Sequence, residues 1–308
     1  MNAITNLSNI KDFKSDWDGG GKSSGIQEPP VLMRTLVRGF FQITGRIAPA
    51  FAAKKAFGFF GTPLVRAKHK RSDALLDSAE RAYIQNGTQR LQTYKWGTGS
   101  KKLLLLHGWQ SRGTALRAFI PSLLDKDFTV YAFDAPAHGE SDGNFCTVRL
   151  YGEAIASFTK VHTDIDYVIS HSLGGAACMY YMAFVNPTVS LKKLVMLAAP
   201  ESIVKVIKDA GAQMALPPAA LKKFEELCIA HGNGRRLEEY SLARNYRNLS
   251  IGEAILFHDK DDAITKVDEV KNIVHGWDRA TLYMTEGYGH YRIVKNPDVI
   301  QKIADFMN

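Results

Sequence analysis

Residues 169–176 read ISHSLGGA, and this string decides the fold. An apolar strand runs into Ser172, then Leu173-Gly174-Gly175, then a helical stretch. A serine on a sharp strand-to-helix turn is lifted out of the sheet. Its hydroxyl then lies beside a helix N-terminus, whose amides favour developing negative charge. Such a turn needs small residues two positions before and two after the serine. Gly174 meets the second requirement, and Ser170 stands where glycine is usual. Ser170 is itself a poor nucleophile candidate, since its own flanks are Val168 and Ser172.

The rhythm outside this turn is that of alternating strands and helices. Residues 88–96 alternate like a strand, 102–106 are a short apolar run, and 128–133, 166–171, 192–198, 253–258 and 280–284 read as further strands. Helices are expected near 114–125, 149–162, 174–185, 266–275 and 297–307, and an earlier one over 74–86, stopped by Gly87. Apolar strands alternating with helices predict an α/β fold with a mostly parallel sheet covered on both faces. Chemistry is then expected at the carboxyl ends of the strands.

Four further strings occur in a telling order around the serine turn. They are LLLLHGW (103–109), FDAPAHGES (133–141), ILFHDKDDAI (255–264) and GYGHYR (287–292). Together with the turn they resemble the α/β-hydrolase family: its strand-3 His-Gly signature, its D-x-P-G-H-G-x-S loop with Ala137 for the middle glycine, its strand-7 acid loop and its histidine loop. The resemblance implies a nucleophile, acid and base in the order Ser172, Asp262, His290. A serine hydroxyl needs a base within hydrogen-bond reach, and the base needs a third group to fix its tautomer. For the acid, the family spacing places Asp259 at a usual glycine and Asp262 at the carboxylate, with Asp261 and Glu201 as the alternatives. His107 and His138 fall where the family uses histidine to tie loops. The implied oxyanion donors are the backbone amides of Leu173 and Trp109. The 52 residues from Glu201 to Gly252 are too long for a plain crossover and match an inserted helical cap. Met214, Leu216, Leu221, Phe224 and Leu227 are its candidate pocket or core residues. No metal or organic cofactor is implied.

The 308 residues have an ordinary globular composition, 45 % hydrophobic and 23 % charged. The net charge of +8 suggests nucleic acid only until it is mapped. Nine Lys or Arg and no Asp or Glu lie between Pro29 and Ser72, and the remainder carries 30 basic against 31 acidic side chains. No nucleic-acid partner is therefore expected. The division expected is a flexible tail over 1–28, a basic, apolar helical region over 29–87, and an α/β-hydrolase domain over 88–308 with its cap at about 201–252. GGGKSSG (19–25) reads as linker, because Asp16 stands where a phosphate-binding loop needs glycine. Residues 29–72 admit two readings: helices packed on the main domain with Arg and Lys snorkelling outward, or an interfacial segment touching an anionic membrane. Three widely spaced cysteines and no apolar leader suggest a cytoplasmic protein, peripheral to the membrane on the second reading. The expected function is hydrolysis of a small-molecule carboxylic ester or thioester through acyl-Ser172. A membrane-surface lipase or acyltransferase, and a non-catalytic ligand-binding protein on the same fold, are the alternatives.

Overall fold

Runs of uninterrupted apolar residues become the central strands. The computed structural model describes residues 9–18, 30–67 and 73–308; the 19–25 string and Lys68, Lys70 and Arg71 of the basic segment lie outside the described residues. The strands are β1 (Ile10–Asp12), β2 (Glu80–Asn86), β3 (Gln89–Trp96), β4 (Lys101–Leu106), β5 (Phe128–Phe133), β6 (Tyr167–His171), β7 (Ser190–Leu197), β8 (Ser250–Asp259) and β9 (Ala280–Thr285). The helices are α1 (Val31–Ile47), α2 (Pro49–Gly61), α3 (Ala74–Asp77), α4 (Ile120–Leu124), α5 (Val148–Val161), α6 (Leu173–Tyr180), α7 (Ile203–Gln213), α8 (Pro218–His231), α9 (Leu242–Asn245), α10 (Val267–Val274), α11 (Gly289–Arg292) and α12 (Pro297–Phe306).

Among the described residues the nine strands form one sheet, ordered β1-β9-β8-β7-β6-β4-β5-β3-β2. Pairing is parallel from β1 through β5, and β3 runs antiparallel to both β5 and β2. Side chains alternate across the sheet, so Leu104 and Leu106 face Tyr151 and Phe158 of α5, while Leu103 and Leu105 face Phe119 and Ile303. With both faces covered, β4 and β5 read as continuous apolar runs rather than alternating ones. The expected α/β-hydrolase architecture is the one present.

Three expectations change. Residues 74–86 are not one helix. Asp73 caps α3 by accepting from the Leu75 and Leu76 amides, and the chain then turns into β2. β2 is an edge strand whose only buried residue is Ile84, so no apolar alternation marks it. It forms a hairpin with β3, closing at Asn86–Gln89 through Gly87 at φ +60°. The second change concerns the tail. Residues 10–12 pair with β9, Phe13 packs edge-on against Phe257 and Tyr283, and Trp17 stacks on Tyr288. Two aromatic anchors in a polar stretch hold what reads as tail onto the sheet edge.

The third change concerns the cap. The 201–252 insertion supplies α7 and α8, and α1 and α2 from the N-terminal region pack on them. Their shared core is Phe41, Ala53, Phe57, Ile207, Met214 and Phe224, with Leu216, Leu221 and Leu227 partly buried around it. Gly45 of α1 lies so close to Pro217 that a Cβ there would come within 2.6 Å of the ring. Phe60 meets Phe224 edge-to-face at 5.6 Å. Thus the two segments that the sequence separates form one four-helix body. It is tied to the sheet domain where Gly61 abuts Phe145 and the Gly61 carbonyl accepts from the Cys146 amide.

Candidate active site

β6 delivers Ser172 at its carboxyl end, and the backbone there is forced. Ser172 has φ 50° and ψ −119°, a conformation sparsely populated by any residue with a side chain. Its amide is held by the Leu197 carbonyl, and α6 begins at the next residue. The turn requires glycine after it: a Cβ on Gly174 would lie 2.5 Å from the Leu106 carbonyl oxygen and 2.7 Å from that of His107. Ser170 is fully buried and donates to the Val195 carbonyl at 3.0 Å, so its hydroxyl is spent within the sheet.

β8 and β9 bring the other two residues. Asp262 follows β8, and both its oxygens are engaged. Oδ1 accepts from the Ile264 and Thr265 amides, each at 2.8 Å, and Oδ2 lies 2.8 Å from His290 Nδ1. His290 Nε2 lies 2.9 Å from Ser172 Oγ. Asp262 and His290 are buried. Burial raises the Asp262 carboxyl, but the hydrogen bond and charge of His290, with the Thr265 amide and His258, outweigh it and hold the carboxyl below its ordinary value. It therefore stays ionised and accepts the Nδ1 proton, leaving Nε2 to accept from the serine.

The competing carboxylates have other occupations. Asp261 is exposed and accepts from the Gly287 amide at 3.0 Å. Glu201 accepts from the Ser241 hydroxyl in the cap. Asp259, standing at the family's usual glycine, is fully buried; it accepts from Thr285 Oγ1 at 2.7 Å and the Tyr288 amide at 3.1 Å. It thereby laces the Asp262 loop to the loop carrying His290.

Several supporting groups went unnoticed in the sequence. The Thr265 hydroxyl lies 3.0 Å from Asp262 Oδ2, and its carbonyl lies 2.8 Å from Nε2 of buried His258. A threonine three residues after an aspartate is a local turn signal that could have revealed it. His171 directs Nε2 to the His290 carbonyl at 2.8 Å, so the residue before Ser172 anchors the backbone of His290. Burial pushes its imidazole down to about 3.

The wall opposite α6 is the 107–110 segment. A Cβ on Gly108 would come within 2.8 Å of His171 Nδ1 and 3.2 Å of Ser172 Cβ, so this backbone passes directly against Ser172. His107 points Nδ1 at the Gly108 carbonyl and accepts the Ala135 amide at Nε2. His138 points Nδ1 at the Pro136 carbonyl and accepts the Gln110 amide. Each bond set fixes one neutral tautomer, and burial depresses both imidazoles, His138 to about 4. Trp109 is half-buried, its ring edge-on to His138 at 5.2 Å. Asp134 completes the wall by accepting from the Gly113 and Glu140 amides and from Tyr94.

The model of the alpha/beta hydrolase family matches residues 103–300, from β4 into α12. The chain belongs to the α/β-hydrolase family. Solved structures share its fold at low identity. An esterase of Pyrococcus furiosus superposes with TM-score 0.60 at 20 % identity, over 80 % of this chain and 97 % of that one. The thioesterase domain from the curacin biosynthetic pathway gives 0.54 at 14 %, over 74 % and 98 %. A bacterial membrane phospholipase A gives 0.57 at 16 %, over 90 % and 97 %. No curated protein matches the sequence. A hydrolase role follows from the family. Among the described residues no helix is long and apolar enough to cross a membrane.

Proposed function

We propose that this α/β-hydrolase cleaves a carboxylic ester or thioester through an acyl-Ser172 intermediate. The observation that carries the reading is the continuous chain from Asp262 through both nitrogens of His290 to Ser172 Oγ, at 2.8 and 2.9 Å. His290 takes the hydroxyl proton as Ser172 attacks the acyl carbon. The tetrahedral oxyanion faces the Leu173 and Trp109 amides, and each such donor typically contributes a factor of about 10²–10³. His290 then passes the proton to the departing alkoxide or thiolate. Water, deprotonated by the same imidazole, releases the acid and restores the serine. Asp262 holds the Nδ1–H tautomer and stabilises the imidazolium formed in each half-reaction.

Labelling with a fluorophosphonate probe tests this reading. The wild-type chain should label covalently and turn over p-nitrophenyl esters, Ser172→Ala should do neither, and Ser170→Ala should do both. A wild-type chain that neither labels nor turns over any ester would leave the fold as a ligand-binding one.

A further inference from the structure

Helix α1 shows solvent the face that most helices hide. Leu32, Leu36, Phe40, Ile43 and Ile47 recur at spacings of three and four, which places them on one stripe of the helix. That stripe points away from the protein: Leu36 is 65 %, Ile43 61 % and Ile47 80 % exposed. The opposite side is the packed one, where Phe41 is buried and Gly45 abuts Pro217. On α2, Phe51 and Phe59 are exposed as well. A contiguous apolar row of this kind marks an interaction surface rather than scattered surface residues.

The charge around the row selects the partner. Residues 30–67 carry six Lys or Arg and no Asp or Glu. Lys54 and Lys55 lie beside Phe51 on the outer side of α2, with the Lys55 ammonium 5.6 Å above the Phe51 ring. Arg46 is exposed next to Ile47. A symmetric contact with a second copy would press these cations against their own kind. An anionic bilayer accepts both features at once, the apolar row entering the acyl boundary while Lys and Arg meet the headgroups. We infer that the outer face of α1 and α2 docks on the surface of an anionic lipid bilayer. The chain that leaves α2 runs straight to the site, since the Val65 amide donates to the Gln110 side chain, next to Trp109.

Vesicle co-sedimentation of the full chain tests the inference. The wild type should bind vesicles of equimolar phosphatidylglycerol and phosphatidylcholine at about 50 mM salt, where screening is modest. It should bind phosphatidylcholine vesicles far less. Leu36→Gln with Ile43→Gln should weaken partitioning on the order of 100-fold. Lys54→Gln with Lys55→Gln should weaken it about 30-fold. All four positions are exposed, so melting temperature and fluorophosphonate labelling should stay at wild-type values, which separates a docking failure from a failure of the catalytic reading. Absence of binding to anionic vesicles, equal binding to both vesicle types, or undiminished binding by the Leu36/Ile43 variant would each overturn it. A dimer that the same variant dissolves, without vesicle binding, would give the face to a second copy instead.

Discussion

At the carboxyl ends of β6 and β8, buried polar groups hold one another; in the cap, α1, α2, α7 and α8 meet through Phe, Ala and Ile. Around Ser172 the buried partners are paired one by one: Asp262 with His290 and Thr265, Asp259 with Thr285, His107 with Ala135, His138 with Gln110. In the cap, Ala52, Ala53 and Ala56 let α2 approach α8 closely, and Phe57 and Phe224 fill the space between. The first arrangement fixes atoms to within a hydrogen bond and tolerates no missing partner. The second is non-directional and is set by volume. Substitutions at the rim should therefore act on rate, and substitutions in the cap on stability.

The sharpest way to break that contrast lies in the aspartate loop. Asp262→Asn should leave His290 in the wrong tautomer and lower kcat by about 10⁴ with the fold intact. Asp261→Asn keeps an oxygen that can accept from the Gly287 amide, removes only an exposed charge, and should cost less than about tenfold. Steady-state kinetics on one p-nitrophenyl ester decide it. Reversal of the two effects would move the acid by one residue, and little effect from either would return attention to Glu201.

Phe224→Ala carries the comparison to the cap. Phe224 is fully buried and meets Phe60 edge-to-face. Its truncation should destabilise by about 3–5 kcal/mol, read as an earlier transition in denaturant. Fluorophosphonate labelling at Ser172 below the transition should be unchanged. Loss of labelling in a folded variant would mean that the cap core also sets the geometry of the rim.

How far each region was legible in the sequence follows the same division. The rim depends on local strings in which side chain and backbone demand one another. Gly174 beside two carbonyls and Asp262 with its own downstream amides are visible at short range, so the Ser172 turn and the Asp262 loop could be located by spacing. The support from Asp259 and His171 was not legible, because their partners lie on segments far along the chain, whereas Thr265 is a local turn signal three residues from Asp262. The cap was legible only in halves. Phe41 and Phe224 are more than 180 residues apart, and nothing local to either says that they share a core. β2 differs from the helix its pattern predicts for a related reason: an edge strand with one buried residue owes its state to β3, not to its own pattern.

Acid should expose the rim's polar pairing as a stability cost. Burial depresses His171 to about 3 and His138 to about 4, against an ordinary 6.5. Between those values the unfolded chain takes up a proton at each site and the folded chain does not, so stability is full above about pH 6.5 and falls as pH drops toward 4. His138 alone accounts for on the order of 3 kcal/mol across that window. His138→Gln keeps a donor for Pro136 and an acceptor for Gln110, and should flatten the dependence of melting temperature on pH over the same range. A slope unchanged by the substitution would assign the acid sensitivity to the other buried histidines.

The smallest effect concerns the position where the Ser172 turn departs from the family's usual pattern. Ser170 replaces a glycine, and its hydroxyl donates to the Val195 carbonyl on the neighbouring strand. A Cβ on Gly175 would lie 2.8 Å from Ala199 Cβ but at an ordinary contact distance, 3.4 Å, from that hydroxyl, so the serine fits beside the helix without strain. Ser170→Gly would restore the family pattern at the cost of one buried hydrogen bond and of added backbone freedom in the unfolded strand. The two losses together should destabilise by about 1–2 kcal/mol. They should leave kcat/KM for a soluble ester within about twofold, because the Ser172 backbone is held by the Leu197 carbonyl and not by residue 170. Thermal melts and ester kinetics on the same preparation separate the two. A large fall in rate without a fall in stability would make Ser170 part of the machinery that holds the nucleophile, and the division between rate at the rim and stability elsewhere would then run through β6 rather than at its end.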